Sequence, residues 1–310
     1  PAAVCAVVKA DGYGHGAVDA AMAALRGGAT MLAVALVEEA IVLRDAGFEV
    51  PILLLSEPPA AAADVVVEQQ LIATVYSPDR IDDLAAAAAR RAPANELDVH
   101  LKIDTGMRRV GAALDDVVTL AERIAASGSL RLAGTFTHFA VADAPDDPFT
   151  DLQIERFNRA LDALRGAGID PGVVHASNSA GGIAHPSARF DLVRFGISIY
   201  GLSPDAAFDL RAYQLELRPA MSFRSAVSHV KVVRSGDELQ VRTAGVQSAP
   251  TLVLTHGWSL NKDEWGYVQR DPRDRFRIVT WDLRGLGESR APANNDYALE
   301  RMAEDLAGRG

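Results

Sequence analysis

The chain has 310 residues, of which 49% are hydrophobic and 23% charged, with a formal net charge of -10 and a single cysteine. That length allows roughly two domains or one large barrel, and the apolar share excludes disorder as the main state. The acidic balance excludes non-specific nucleic-acid binding and docking to an anionic membrane surface. Cys5 alone cannot build a disulfide framework or a cysteine-based metal cluster, so no metal site is expected. No apolar run approaches the ~20 residues that span a bilayer, and no basic, apolar leader opens the chain. A cytoplasmic enzyme is the expectation. Residue 1 is Pro1, so the chain is read as a segment.

In chain order, apolar runs rich in Val, Ile and Leu predict strands at residues 4–8, 31–36, 52–55, 71–75, 99–103, 132–136, 173–175 and 192–195. Each has the length of a strand buried on both faces. Helical spacing predicts helices at 17–26, 37–46, 60–69, 79–91, 114–126 and 152–166, with a short helix at 179–184. This alternation over about 200 residues is the pattern of an α/β fold of the (β/α)8 TIM-barrel type. An open doubly wound sheet is the alternative. After Pro204 the texture changes. Residues 221–233 predict a longer strand, and a second α/β pattern follows, with strands at 251–255 and 277–281 and helices near 263–269 and 298–307.

In a barrel, active-site groups project from the C-terminal ends of the strands. The polar residues at those positions are Lys9, Lys102, His138, Asn178 with Ser179, and Arg194. An amine shielded from water at the mouth of an apolar barrel is a nucleophile for carbonyls, which is how pyridoxal phosphate is held as a Schiff base. Arg194, followed by Phe195-Gly196-Ile197, offers a cation and then backbone N–H groups, a combination that suits a phosphate. Ser179 at a helix start suits it too.

The run Lys9-Ala10-Asp11-Gly12-Tyr13-Gly14-His15-Gly16 resembles the cofactor-lysine signature of the alanine racemases. The resemblance continues in Lys102-Ile103-Asp104-Thr105-Gly106-Met107-Arg108-Arg109, in Thr137-His138-Phe139-Ala140, in Ala176-Ser177-Asn178-Ser179, and in Arg194-Phe195-Gly196-Ile197. It extends over residues 1–235. It implies a pyridoxal 5'-phosphate enzyme that interconverts L- and D-alanine, supplies D-alanine for the cell wall, and works as a homodimer. Lys9 would carry the cofactor and serve as one proton-transfer base. Tyr13, Ser179, Gly196 and Ile197 would hold the phosphate. Arg194 would face the pyridine nitrogen, with His138 and Asn178 supporting the ring and the arginine. Arg109 would face the cofactor's phenolic oxygen and the substrate carboxylate. Lys102, which the family often carries as a carbamate, would orient it.

The second base of that family is a tyrosine from a β-rich domain. Here no tyrosine occurs between Tyr213 and Tyr267. Racemisation is therefore expected to be impaired. The alternatives are a cofactor-binding barrel that carries or regulates pyridoxal phosphate without racemising, and a racemase–hydrolase hybrid without function. Thr255-His256-Gly257-Trp258 and Asp282-Leu283-Arg284-Gly285-Leu286-Gly287 resemble the opening of an α/β-hydrolase, but no G-x-S-x-G follows. The implied domains are a cofactor-binding barrel over 1–205, the start of a racemase β-domain over 206–237 and a partial hydrolase-like segment over 238–310.

Overall fold

The computed structural model describes residues 2–222, 241–246, 248–249, 251–255, 262–266, 275–283 and 286–289. They fall into two compact units, Pro1–Ser222 and Phe223–Gly310.

The first unit holds eight strands: β1 Ala3–Val7, β2 Met31–Val34, β3 Ile52–Leu54, β4 Ala73–Val75, β5 Leu97–Lys102, β6 Leu130–Phe136, β7 Val173–His175 and β8 Leu192–Phe195. They pair in parallel, in the orders β3-β2-β1-β8 and β4-β5-β6-β7. Two seams join the halves. Ile72 N–H donates to Ile52 O and Leu54 N–H to Ile72 O, both at 2.9 Å, between β3 and β4. Asp191 N–H donates to Val174 O at 3.0 Å, and Arg194 N–H to Ser177 O at 3.0 Å, between β7 and β8. The strands thus close in chain order into the barrel, not an open sheet.

The crossovers are α1 Ala17–Arg26, α2 Val37–Asp45, α3 Ala63–Glu68, α4 Pro78–Arg91, α5 Val117–Ala126, α6 Phe149–Gly166 and α7 Ser179–Ala184. Each long helix buries one stripe. On α4 it is Ile81, Leu84, Ala87 and Ala88, and on α5 it is Val117, Leu120, Ala121 and Ile124. Small departures from the sequence reading have local causes. The helix predicted from residue 60 begins as a 3-10 turn, Ala60–Ala62, behind Pro59. Helix α6 starts at Phe149, three residues early, behind Pro148, where Asp147 Oδ1 accepts from the Phe149 N–H at 2.9 Å.

The second unit contains β9 Val241–Gly245, β10 Thr251–Thr255 and β11 Arg277–Trp281 in the order β10-β11-β9, with β10 and β11 parallel and β9 antiparallel. Where a helix near 263–269 is predicted, the described residues form a 3-10 turn, Lys262–Gly266. Its first residue is tied down: Lys262 N–H and Nζ donate to Asp282 at 2.6 and 2.8 Å, and Nζ also reaches Glu288 at 2.7 Å. The strand predicted over 221–233 lies outside the described residues from Phe223 on, as does the helix predicted over 298–307.

Gly134 in β6 is a point of close packing in the barrel. A Cβ there would stand 2.7 Å from the His100 ring and 2.8 Å from Val173 O. The β5–β6 register also shifts between Val99 and His100. Gly134→Ala is therefore expected to lower barrel stability by about 1–3 kcal/mol through overpacking. Urea unfolding followed by far-ultraviolet circular dichroism checks this, since Trp258, Trp265 and Trp281, the only tryptophans, report the second unit. An unchanged midpoint would contradict it.

Candidate functional site

The C-terminal ends of the strands open into a cavity of about 480 Å3. All ten residues singled out in the sequence line it: Lys9, Tyr13, Lys102, Arg109, His138, Asn178, Ser179, Arg194, Gly196 and Ile197. Strand register explains the convergence. Lys102 pairs with Phe136 and Phe136 with His175, so three neighbouring strands present their last residues at one level.

Arg194 sits at the centre and is only 3% exposed. Its Nη1 donates to His175 Nδ1 at 2.7 Å, and its Nη2 to Thr137 O and Ala176 O at 2.7 and 2.9 Å. His138 Nδ1 stands 3.4 Å from Nη2. The guanidinium also lies 5.0 Å from the Phe136 ring centroid. A guanidinium only donates, so His175 Nδ1 is the acceptor, and His175 Nε2–H donates onward to His100 Nδ1 at 2.9 Å. Burial, reinforced by the Arg194 charge, pushes His100 and His138 down to about 3 and His175 well below its ordinary value. All three are neutral imidazoles at physiological pH. Burial brings Arg194 itself down to about 10.

Lys102 Nζ donates to Leu55 O at 2.9 Å and lies 5.3 Å from the Phe136 centroid. Burial, then the charges of Arg194, Arg109 and Lys9, bring it down to about 7. A lysine balanced near neutrality has the free amine that adds carbon dioxide. At the other end, Ser179 Oγ accepts from the Gly196 N–H at 3.0 Å. A Cβ at Gly196 would lie 2.6 Å from the Tyr13 hydroxyl, so only glycine leaves that space. Burial raises Tyr13, which keeps its hydroxyl a donor. Among the described residues, Ser198 Oγ is buried without a partner. The Tyr13 and Ser179 hydroxyls, beside the backbone of Gly196 and Ile197, line one end of the cavity as groups suited to a tetrahedral anion. The cavity as a whole is lined by Lys9, Lys102, Arg109 and Arg194 against a single acid, Asp143. It therefore favours an anionic ligand.

Asn178, expected to support the ring, caps α7: its Oδ1 accepts from the Gly181 N–H at 2.9 Å. His100, His175 and Phe136 are further residues of the site, beyond those singled out in the sequence. His100 stands two residues before Lys102, hence on the same face of β5, and that alternation was the available signal.

The family profile described as "Alanine racemase, N-terminal domain" matches residues 1–204. The chain belongs to the alanine racemase family. The alanine racemase of Treponema denticola is 37% identical over 283 residues, which cover 89% of this chain and 73% of that protein. The alanine racemase of Thermobifida fusca is 43% identical over 241 residues, 76% of this chain and 62% of that protein. Among solved structures, the alanine racemase from Bacillus anthracis with bound L-Ala-P superposes with a TM-score of 0.69 at 32% identity, over 79% of this chain and 66% of that one. The chain thus spans about three fifths to three quarters of the length of its racemase relatives. A second profile, described as "alpha/beta hydrolase fold", matches residues 250–309. Among the described residues, no helix is long and apolar enough to cross a membrane.

The racemase barrel carries a measurable charge burden at Lys102. With Lys102 near 7 when folded and near ~10.4 when unfolded, the unfolded chain holds the extra proton between those values. Stability then rises with pH across that window, by at most about 1.4 kcal/mol per pH unit, and the gain is lost as pH falls toward 7. In Lys102→Met this rise is expected to disappear. Denaturant midpoints of parent and variant from pH 6.5 to pH 9 measure it, and parallel profiles would contradict it.

Proposed function

We propose that this chain holds pyridoxal 5'-phosphate through Lys9 and acts on the Cα–H bond of alanine, the L/D interconversion of its racemase relatives. What carries the reading is the joining of a lysine, a phosphate-type cradle and a buried arginine in one cavity. When bound, the cofactor supplies an electron sink for the carbon next to the amino group. The residues do the rest. Tyr13, Ser179 and the backbone at Gly196 and Ile197 hold the phosphate. Arg194 would face the ring nitrogen, and a guanidinium held by two carbonyls and an imidazole keeps its proton and would donate none to it. His138 braces the arginine. Arg109, with Lys102 beside it, receives the substrate carboxylate. These two residues separate this reading from a mere cofactor carrier, which has no need of a carboxylate partner.

Lys9 Nζ removes and returns the α-proton on its own face. The opposite face needs a second base, and the stretch from Tyr213 to Tyr267 offers no tyrosine for it. A positioned acid–base group is worth roughly 10²–10⁴ in rate. We expect racemisation by this chain to fall by about that factor against α-proton exchange. A cytoplasmic setting fits the single free, buried Cys5, and D-alanine for the cell wall is the product to expect.

Added pyridoxal phosphate should give a visible absorption band in the parent that is lost in Lys9→Ala. Deuterium should enter the α-position of one alanine enantiomer faster than the other enantiomer forms. Absence of the band from the parent contradicts the cofactor site. Inversion as fast as exchange contradicts the one-sided base.

A further inference from the structure

Strand β1 leads into the cavity through a turn that L-residues disfavour. Ala10, Asp11, Gly12, Tyr13 and Gly14 have φ of 52, 51, 62, 54 and 80° in succession. Non-glycine residues in this region are strained, so the turn persists only where its surroundings hold it. Two carboxylates secure its edges: Glu39 Oε1 accepts from the Ala10 N–H at 2.6 Å, and Asp11 Oδ1 from the Ala17 N–H at 2.8 Å. The middle is held differently. His15 Nδ1 lies 3.1 Å from both Gly12 O and Tyr13 O. A carbonyl oxygen only accepts, so Nδ1–H is the donor. The His15 ring packs on Tyr200 with centroids 4.6 Å apart, and Tyr200 packs on Tyr13 at 5.0 Å. The Tyr200 hydroxyl donates to Val7 O, at the end of β1, at 3.0 Å. Tyr200 also closes the 3-10 turn Ile197–Tyr200, next to Gly196.

We propose that His15 and Tyr200 are positioning residues that clamp the left-handed turn and thereby fix the Tyr13 hydroxyl against Gly196, where the phosphate group of the cofactor would sit. Neither residue lines the cavity. They act through Tyr13, His15 by donating to the turn's carbonyls and Tyr200 by joining the turn to both β1 and the Gly196 segment. This inference rests on the pyridoxal phosphate reading for its ligand, but the clamp itself is a property of the chain without ligand.

The test uses the full chain with His15→Ala, His15→Asn and Tyr200→Phe. Asn keeps a donor near the Nδ1 position, and Phe keeps the ring but not the hydroxyl. In the ligand-free protein, amide exchange at residues 12–16 is expected to speed up in His15→Ala and to stay near the parent's in His15→Asn, with β1 to β8 protected alike in all. The pyridoxal phosphate dissociation constant, read by absorbance titration, should rise about tenfold in His15→Ala, the loss of one turn-strain increment. In Tyr200→Phe it should rise less, and the thermal midpoints of the ligand-free variants should stay near the parent's. Two results overturn the clamp: turn exchange unchanged in His15→Ala, or exchange raised equally across the whole barrel with a lowered midpoint. A parent that binds no pyridoxal phosphate, yet shows the exchange pattern, leaves the clamp standing and removes the cofactor reading instead.

Discussion

A guanidinium buried in a barrel must find partners for its N–H groups without the help of water, and Arg194 does so with neutral groups. Its partners among the described residues are two carbonyls and imidazoles, with an aromatic face beside it. An isolated charge in such a place is costly unless it is hydrogen-bonded and its field is used. Much of the cavity follows from this one constraint. The arginine's field helps hold His100, His138 and His175 neutral and helps bring Lys102 down toward neutrality. It leaves a positive interior that an anion relieves.

The barrel supplies the rest by geometry. Strand register brings Lys102, Phe136 and His175 to one level, so that Phe136 stacks flat on His175 at 4.6 Å and lies near both cations. The crossover after β7 starts α7 at Ser179, and its hydroxyl then meets the Gly196 N–H beyond β8. Backbone strain is concentrated where β1 delivers Lys9 and Tyr13, as is usual where a fold has to aim reactive groups. A rigid barrel thus carries a charge-selective cavity whose most strained segment is held from outside it.

The barrel and the cavity lining were legible because both depend on local signals: short apolar runs, the polar residues that end them, and glycines at the phosphate cradle. Lys9, Lys102 and Arg194 each end or follow such a run. His100 and His175 were not legible as parts of the arginine's support. Within an apolar strand a histidine reads as core, and only the pairing of β5, β6 and β7 brings the two rings together. The left-handed turn was hidden for the opposite reason. Ala10 and Tyr13 have no intrinsic preference for it, and two of the groups that hold it, Glu39 and Tyr200, are distant in sequence. In the second unit, Lys262 begins a 3-10 turn because Asp282 and Glu288 hold its amine, a long-range demand that helical spacing does not reveal.

We propose that this cavity directs pyridoxal phosphate to Lys9. The chain has only four lysines, Lys9, Lys102, Lys231 and Lys262, so borohydride reduction of the protein with pyridoxal phosphate, followed by peptide mapping, decides it. One phosphopyridoxyl group per chain, on Lys9, is the expected result. A label on Lys102, Lys231 or Lys262 in preference to Lys9, or none at all, would contradict it.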